Sequence, residues 1–153
     1  MLGCTGAFNE TYSDNAKIAQ PEDNRVSTGA DADNIGGENG NEYSYSCSLS
    51  GTRTVWHYDA QKDSDIELNY LLSVTKGGKA KLVLITPDNE VITLVENTDN
   101  TVNTEMQSQT VSIKKGNNRI KIVGSNAPKL ELKLRIEVGQ WGAGEWDTEN
   151  DDD

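Results

Sequence analysis

The side chains best suited to catalysis are few, and they are widely spaced. The chain has one histidine, His57, and two cysteines, Cys4 and Cys47, which fall in no recognised nucleophile–base motif. It also lacks a glycine-rich phosphate loop and a histidine–cysteine cluster with the spacing of a metal site. We therefore predict that the protein is not an enzyme and carries no cofactor.

Cys47 lies in a segment that indicates a structural role for its thiol. Side chains alternate through residues 43–49, which places Tyr45, Cys47 and Leu49 on one face of a strand. A free cysteine on an apolar face behaves as a small hydrophobic residue. Cys47 is therefore predicted to be buried and unreactive.

Two acidic stretches have the residue types of a calcium site. Residues 31–42 match an EF-hand loop at Asp31, Asp33, Gly36 and Glu42, but Ile35 occupies a ligand position and no helices flank the loop. Residues 63–65 (DSD) could hold calcium in a loop, although such residues more often form turns. We predict no metal site in either stretch.

Two pairs of aromatic residues are the candidate binding residues. Trp56 and Tyr58 share one face of a predicted strand, where they would stack on a sugar ring if exposed or pack in the core if buried. Trp141 and Trp146 follow the last predicted strand in a glycine-rich acidic segment. These two could dock a protein partner, and Trp141 could instead close the end of the fold.

The acidic charge of the chain belongs to its two ends. Of the formal net charge of −11, residues 1–42 and 139–153 each carry −6, whereas residues 43–138 carry +1. We predict no binding to nucleic acid. The basic residues of the middle region either form a solvated surface or attract an anionic envelope polymer, lipid head groups or the protein's own acidic ends. The ten that would form such a basic face are Lys76, Lys79, Lys81, Lys114, Lys115, Arg119, Lys121, Lys129, Lys133 and Arg135.

Hydrophobic alternation with a period of two predicts β-strands throughout the middle of the chain. In 129–138 five apolar residues alternate with charged residues, which is typical of an antiparallel strand with one buried face. Turn residues follow about every ten positions, as in 87–89 (PDN) and 115–117 (KGN). The predicted strands are 43–50, 52–59, 65–75, 80–86, 90–96, 108–114, 118–124 and 129–138. They predict an all-β fold, an antiparallel, jelly-roll-like β-sandwich of about eight strands.

Composition divides the chain into three parts. Residues 1–42 are rich in Asn, Asp, Ser, Thr and Gly and poor in large apolar residues, so we predict a disordered N-terminal tether. Residues 43–139 would form the β-sandwich domain. Residues 140–153 would form an acidic, mostly disordered C-terminal tail.

The first residues, Met1-Leu2-Gly3-Cys4, resemble the end of a bacterial lipoprotein signal. In that family the cysteine after the cleavage site carries a diacylglycerol, which implies lipidation of Cys4. The resemblance implies a protein anchored to the extracellular face of the bacterial cell membrane. The tether would then hold the domain away from the lipid surface.

Two further segments, 81–88 (KLVLITPD) and 111–124 (VSIKKGNNRIKIVG), resemble small jelly-roll lipoproteins of Gram-positive, Firmicutes-type bacteria. That likeness covers roughly residues 52–138, and the strand–Pro-Asp–strand pattern is also similar to galactose-binding-like sandwiches, many of which bind sugars. These resemblances imply a surface binding module for carbohydrate or another envelope polymer. The alternative is a protein-interaction or accessory subunit of a surface complex.

Overall fold

The structure is a computed structural model, and it describes residues 11–23, 25–26 and 32–142. Short 3₁₀ turns lie at Thr11–Ser13 and Glu38–Gly40, and one α-helix, α1, spans Asn15–Ile18. The strands are β1 (Arg25–Val26), β2 (Ala32–Gly36), β3 (Glu42–Ala60), β4 (Ser64–Thr75), β5 (Lys79–Ile85), β6 (Val91–Asn97), β7 (Gln107–Ile113), β8 (Gly116–Arg135) and β9 (Gln140–Trp141). Within the described ranges, no helix has the length and apolar character needed to cross a membrane.

The strands pair in nested antiparallel hairpins. β3 pairs with β8, β4 with β7, and β5 with β6. β8 also pairs with β4 through its second half and with β5 through its first half. Nested pairing of this kind is the jelly-roll arrangement. The all-β, antiparallel, sandwich-like prediction is therefore confirmed.

The long strands β3 and β8 run through both layers of the sandwich. The front layer contains the first half of β3, the second half of β8, β4 and β7; the back layer contains the remaining halves with β5 and β6. Where β3 passes from one layer to the other, two register shifts lie between Cys47 and Gly51. Such bulges bend a strand. Gly124 faces this bend, and a Cβ there would lie 2.8 Å from the Leu49 carbonyl oxygen.

The main core lies between the two layers. Its residues alternate along each strand, as expected when one face of a strand is buried. The alternation explains why the eight predicted strands correspond closely to the eight strand segments of the two layers. Fully or nearly fully buried members include Tyr45, Leu49, Trp56, Leu68, Leu72, Leu82, Leu84, Ile120, Ile122, Leu130 and Leu132.

A second apolar cluster lies on the outer face of the back layer. Val83, Ile85 and Val123 point away from the main core, yet each is 0% exposed because residues 11–23 cover them. Tyr12 and Ile18 of this segment, which we call the strap, are also buried. The second cluster explains why β5 is apolar on both faces.

The strap and β2 are ordered where we predicted a disordered tether; this correction concerns residues 11–23 and 32–42, and the rest of 1–42 apart from 25–26 lies outside the described residues. β2 pairs with residues 42–46 of β3, and the strap packs against the back layer. The composition argument failed because two large apolar side chains, placed over an apolar face, are sufficient to dock an otherwise polar segment. Likewise, residues 140–142 belong to the fold rather than to the acidic tail, since β9 pairs with β3.

Candidate functional site

The predicted sugar-stacking pair lies inside the protein. Trp56 is 0% exposed, and its Nε1–H donates to the Val138 carbonyl at 2.8 Å. Its ring is tilted against Tyr58 at a centroid distance of 6.0 Å, and Tyr58 is half-buried against the core. The exposed Trp56–Tyr58 platform is therefore wrong, and the core alternative is correct. Periodicity placed both residues on one face but did not determine that this face points inward.

Trp141 closes one end of the core. Its ring stacks on Tyr43 at 5.3 Å and 18°, and its Nε1–H donates to the Gly40 carbonyl at 2.6 Å. The indole is half-buried, so it is a structural residue rather than a free docking ring. Trp146 and Cys4, the other predicted partner-binding and lipidation residues, lie outside the described residues.

The side chains of Cys47 and His57 both make contacts that stabilise the fold. Cys47 is 5% exposed, which confirms the predicted burial of its side chain. His57 Nδ1 lies 3.0 Å from the Gly142 carbonyl oxygen, and Nε2 lies 3.0 Å from Gln140 Oε1. These contacts place the imidazole between β3 and residues 140–142, where it helps to hold that segment against β3.

The carboxylates of the two acidic stretches bond to other residues of the fold. Residues 32–36 are extended strand rather than an EF-hand loop, and the Asp33 carboxylate accepts from the Tyr43 hydroxyl at 3.1 Å and pairs with Arg53 at 2.8 Å. Asp63 accepts from the Lys115 backbone N–H at 2.8 Å. Across the described ranges, no three or more His, Cys, Asp or Glu side chains are grouped to hold a metal ion.

The predicted basic residues divide between the two layers. Arg119 and Lys121 of the back layer contact the strap, and Lys121 pairs with Asp23 at 3.2 Å. Attraction to the protein's own acidic N-terminal part, one of the alternatives, is thus observed for Lys121. On the outer face of the front layer, Lys129 and Lys133 are exposed together with Arg135.

An open cleft lies on this outer face of the front layer. Its volume is about 200 Å³, and its lining residues are Ser73, Thr75, Val102, Lys129 and Glu131. Ser73 is directly opposite Glu131, and Thr75 is opposite Lys129, across the β4–β8 pair. Cross-strand neighbours on one face are only about 5 Å apart. The cleft therefore places two hydroxyls, an ammonium and a carboxylate beside one apolar side chain.

The loop at residues 98–106 forms one wall of the cleft and is held by asparagine side chains. Asn97 Nδ2 donates to the carbonyls of Leu72 and Thr101 at 3.1 and 2.8 Å. Asn103 Nδ2 also donates to the Leu72 carbonyl, at 2.6 Å, and its backbone N–H donates to Ser73 Oγ at 2.8 Å. Hydrogen bonds at both ends fix the loop conformation.

Asn100 connects the same loop to the turn between β4 and β5. Its Nδ2 donates to the Gly78 carbonyl at 3.0 Å, and its Oδ1 accepts from the Gly77 N–H. Its φ of 60° lies in the left-handed region, which asparagine adopts more readily than most residues. The braced loop holds Val102, with 61% of its surface exposed, at the edge of the cleft.

Replacing Asn100 by alanine should lower the free energy of unfolding by about 3 kcal/mol. The change removes both side-chain bonds, at about 1 kcal/mol each, and alanine tolerates the left-handed φ less well than asparagine, which adds about 1 kcal/mol. Asn100→Gly removes the same bonds without that backbone cost, so it should be less damaging. Urea unfolding of both variants measures the difference, and equal stability with the wild type would contradict the bracing role.

The cleft combines a hydrogen-bond donor, an acceptor and an apolar side chain, the group types found in sites for small polar ligands. The donor is the Lys129 ammonium, the acceptor is the Glu131 carboxylate, and the apolar side chain is that of Val102. Sequence reasoning missed this site because its residues come from three separate elements. The sequence offers no local signal for it, because Asn97, Asn100 and Asn103 look like ordinary loop residues.

No protein-family model and no curated protein sequence matches the chain. Among solved structures, it is similar to the enzymatically active domain of tailspike protein 4 of bacteriophage CBA120, with 9% identity and a TM-score of 0.38, over 79% of this chain and 20% of that one. It is also similar to infectious bursal disease virus, Gt strain, with 12% identity and a TM-score of 0.29, over 75% of this chain and 31% of that one. The chain thus spans less than a third of either neighbour, and at these scores neither informs its function.

Proposed function

We propose that the protein is a non-catalytic binding module held at the extracellular face of a bacterial cell membrane through a lipidated Cys4. The lipoprotein-like sequence Met1-Leu2-Gly3-Cys4 supports the anchor. Two or more acyl chains on one cysteine give stable attachment, since each buried methylene contributes about 0.8 kcal/mol. Mass spectrometry of the protein purified from a bacterial membrane would show the acyl mass on Cys4; an unmodified Cys4 would contradict the anchor.

The ligand that we propose is a carbohydrate of the cell envelope or its surroundings, bound in the cleft beside Val102. The observation that carries this proposal is the preorganised cleft itself. The asparagine-held loop places Val102 in the same cleft as Thr75, Lys129 and Glu131. The buried Ser73 hydroxyl holds this loop through bonds of 2.8 and 3.1 Å to the Asn103 backbone. A site that is already ordered spends little of its interaction energy on ordering side chains and loops.

Lys129 and Glu131 should be required for binding. In an amide-resolved NMR titration of the full chain against a glycan panel, we expect shifts clustered at residues 73–75, 100–103 and 129–131. Lys129→Met and Glu131→Gln should each weaken binding about 10-fold, equivalent to about 1.4 kcal/mol for a hydrogen bond to a charged group. Both residues are exposed, so the fold should be unchanged.

Lys133 provides the matched control for this experiment. It is exposed on the same face of β8 but does not line the cleft. Lys133→Met should therefore leave the affinity unchanged. Equal losses in Lys129→Met and Lys133→Met would indicate non-specific charge attraction, and no shifts for any glycan would contradict carbohydrate binding.

A protein-interaction role is the second candidate. Val102 and Met106 of the same loop are 61% and 42% exposed, which places two apolar side chains in solvent on a fixed support. Apolar residues on a rigid loop are suited to insertion into a partner's pocket. Val102→Asp with unchanged glycan binding but lost association with other surface proteins would favour this role.

A further inference from the structure

The strand at the edge of the front layer, β7, is paired on one side. It runs beside β4 in continuous register, from Gln107 opposite Tyr70 to Ile113 opposite Ser64. Among the described residues, β4 is the only strand that pairs with β7. A strand has hydrogen-bonding groups on both sides, so the second side of β7 presents backbone N–H and C=O groups along a strand of seven residues.

β7 also differs from edge strands that are protected against pairing. Such strands commonly carry charged side chains, a proline or a bulge. The sequence of β7, QSQTVSI, contains no charged residue and no proline, and its register with β4 contains no shift. The edge strand of the back layer, β6, contains Glu96 and pairs with β5 through a register shift. The Leu94 carbonyl of β6 also accepts from Gln109 Nε2 at 3.0 Å. Of these two edges, β7 is therefore the one suited to a further strand.

The sequence of β7 is complementary to itself about Thr110. When two β7 strands pair antiparallel around a two-fold axis at Thr110, residues equally far before and after it lie opposite each other. Thr110 then faces its own copy, and Ser108 faces Ser112. All three side chains are exposed on the outer face of the front layer. Cross-strand pairs of threonine and serine stabilise a sheet.

Opposite charges flank the two ends of β7. Glu105 precedes the strand and Lys115 follows it, and both side chains are exposed. The two-fold axis at Thr110 brings Glu105 of one copy beside Lys115 of the other, and this ion pair occurs twice. Glu67 lies opposite Thr110 on β4, so three strand spacings, roughly 14 Å, separate it from its own copy. Salt largely screens charges at that distance.

We propose that β7 is the interface of a homodimer, in which two copies join edge to edge through antiparallel β7 strands centred on Thr110. The backbone groups on the second side of each β7 then pair with each other. A second copy fits this edge because one sequence supplies matching hydroxyls at the centre and opposite charges at both ends. The axis is perpendicular to the sheet, so the outer faces of both front layers, each with its cleft, point to the same side.

The full chain should therefore dimerise as its concentration rises. Light scattering should show a mass that increases from 16.7 kDa towards twice that value between micromolar and millimolar concentration. Hydrogen exchange of β7 amides should slow over the same range, while exchange of β6 amides should not. A mass that stays at 16.7 kDa at millimolar concentration, or a dimer without slower exchange in β7, would overturn the proposal.

Thr110→Lys tests the position of the axis, because it places two ammonium groups opposite each other. It should weaken dimerisation about 10-fold or more. Thr110 is exposed and lies opposite Glu67, so the monomer should accept a lysine there. Thr93→Lys is the matched control, since Thr93 is an exposed threonine of the other edge strand, β6, and this variant should dimerise like the wild type. Equal dissociation constants for Thr110→Lys and the wild type would count against the proposal.

A charge exchange at Glu105 and Lys115 tests the two ion pairs. In Glu105→Lys or Lys115→Glu alone, both pairs of the homodimer carry like charges, so each variant should dimerise about 10-fold more weakly than the wild type. In an equimolar mixture, a heterodimer of the two variants has opposite charges at both pairs and should recover the wild-type affinity. A mixture that associates no more tightly than the separate variants would refute this pairing.

Discussion

Replacing Trp56 by alanine should lower the free energy of unfolding by about 3–5 kcal/mol, the usual cost of truncating a large buried aromatic side chain. The indole is 0% exposed and donates to the Val138 carbonyl. Gly139, with φ at 87°, lies directly against the ring, and a Cβ there would overlap the indole. Because no other side chain can move into this space without losing its own packing, the cavity should persist. Equilibrium unfolding in urea measures the loss.

Trp141→Ala is the comparison for Trp56→Ala, because Trp141 is only half-buried at the end of the core. It should cost less than Trp56→Ala. Glycan affinity per folded molecule should stay unchanged in Trp56→Ala. A variant that kept its stability and lost glycan binding would contradict the core role and restore Trp56 as a ligand-binding residue.

The strands were predictable because each depends on its own local pattern. In β8, apolar and charged residues alternate from Lys129 to Arg135, and a pleated strand buries one of these sets whatever its neighbours are. The two-sided apolar pattern of β5 predicted a strand covered on both faces. That pattern could not identify the cover, because the strap that supplies it lies about 60 residues earlier in the chain.

The strap was not predictable from composition because its stabilising contacts are long-range and mostly to its backbone. Arg119 and Lys121 bind carbonyl groups about 100 residues away in sequence, and carbonyl groups leave no trace in residue composition. A buried lysine also reads as a surface residue in a sequence. The alternation of β8 supports the same interpretation, because it places Lys121 on the face opposite the core residues Ile120 and Ile122.

The candidate cleft was hidden for a different reason. Its floor is two pairs of residues whose proximity depends on the register of β4 with β8, and hydrophobic pattern constrains register by face but not by exact position. The asparagines of the 98–106 loop look like ordinary loop residues. Their side chains become informative only when their backbone partners in β4 and in the turn that follows it are located.

Raising the pH above 10 should destabilise the fold steeply, because three tyrosines resist ionisation in the folded state. Burial raises the pKa of Tyr12, Tyr43 and Tyr45 above the ordinary value of 10.0. Hydrogen bonding to Glu96 adds to the effect at Tyr12, whereas Arg53 opposes it at Tyr43 and Tyr45. The unfolded chain therefore loses these three protons at a lower pH than the folded protein does.

The sign follows from the proton counts of the two states. Below pH 10 the folded and unfolded states both hold all three tyrosine protons, so these groups contribute no pH dependence. Above pH 10 only the folded state keeps the three protons, so the free energy of unfolding falls as the pH rises. Each group contributes up to about 1.4 kcal/mol per pH unit, or about 4 kcal/mol for three. Lys121 acts in the opposite direction below 10.5, since burial lowers its pKa although Asp23 opposes this.

Urea unfolding between pH 7 and 12, followed with tyrosinate absorbance, measures this dependence. Tyr45→Phe keeps the ring and removes the ionisable group, so it should reduce the slope above pH 10 by about one third. Tyr12→Phe should reduce it equally, although Tyr12 belongs to the strap and Tyr45 to the main core. If the free energy of unfolding of Tyr12→Phe falls with pH as steeply as that of the wild type, the strap has left the back layer before Tyr12 ionises. Tyrosinate absorbance that reaches the full amplitude of all five tyrosines near pH 10 while the fold persists would contradict the burial of these phenols as the source of alkaline unfolding.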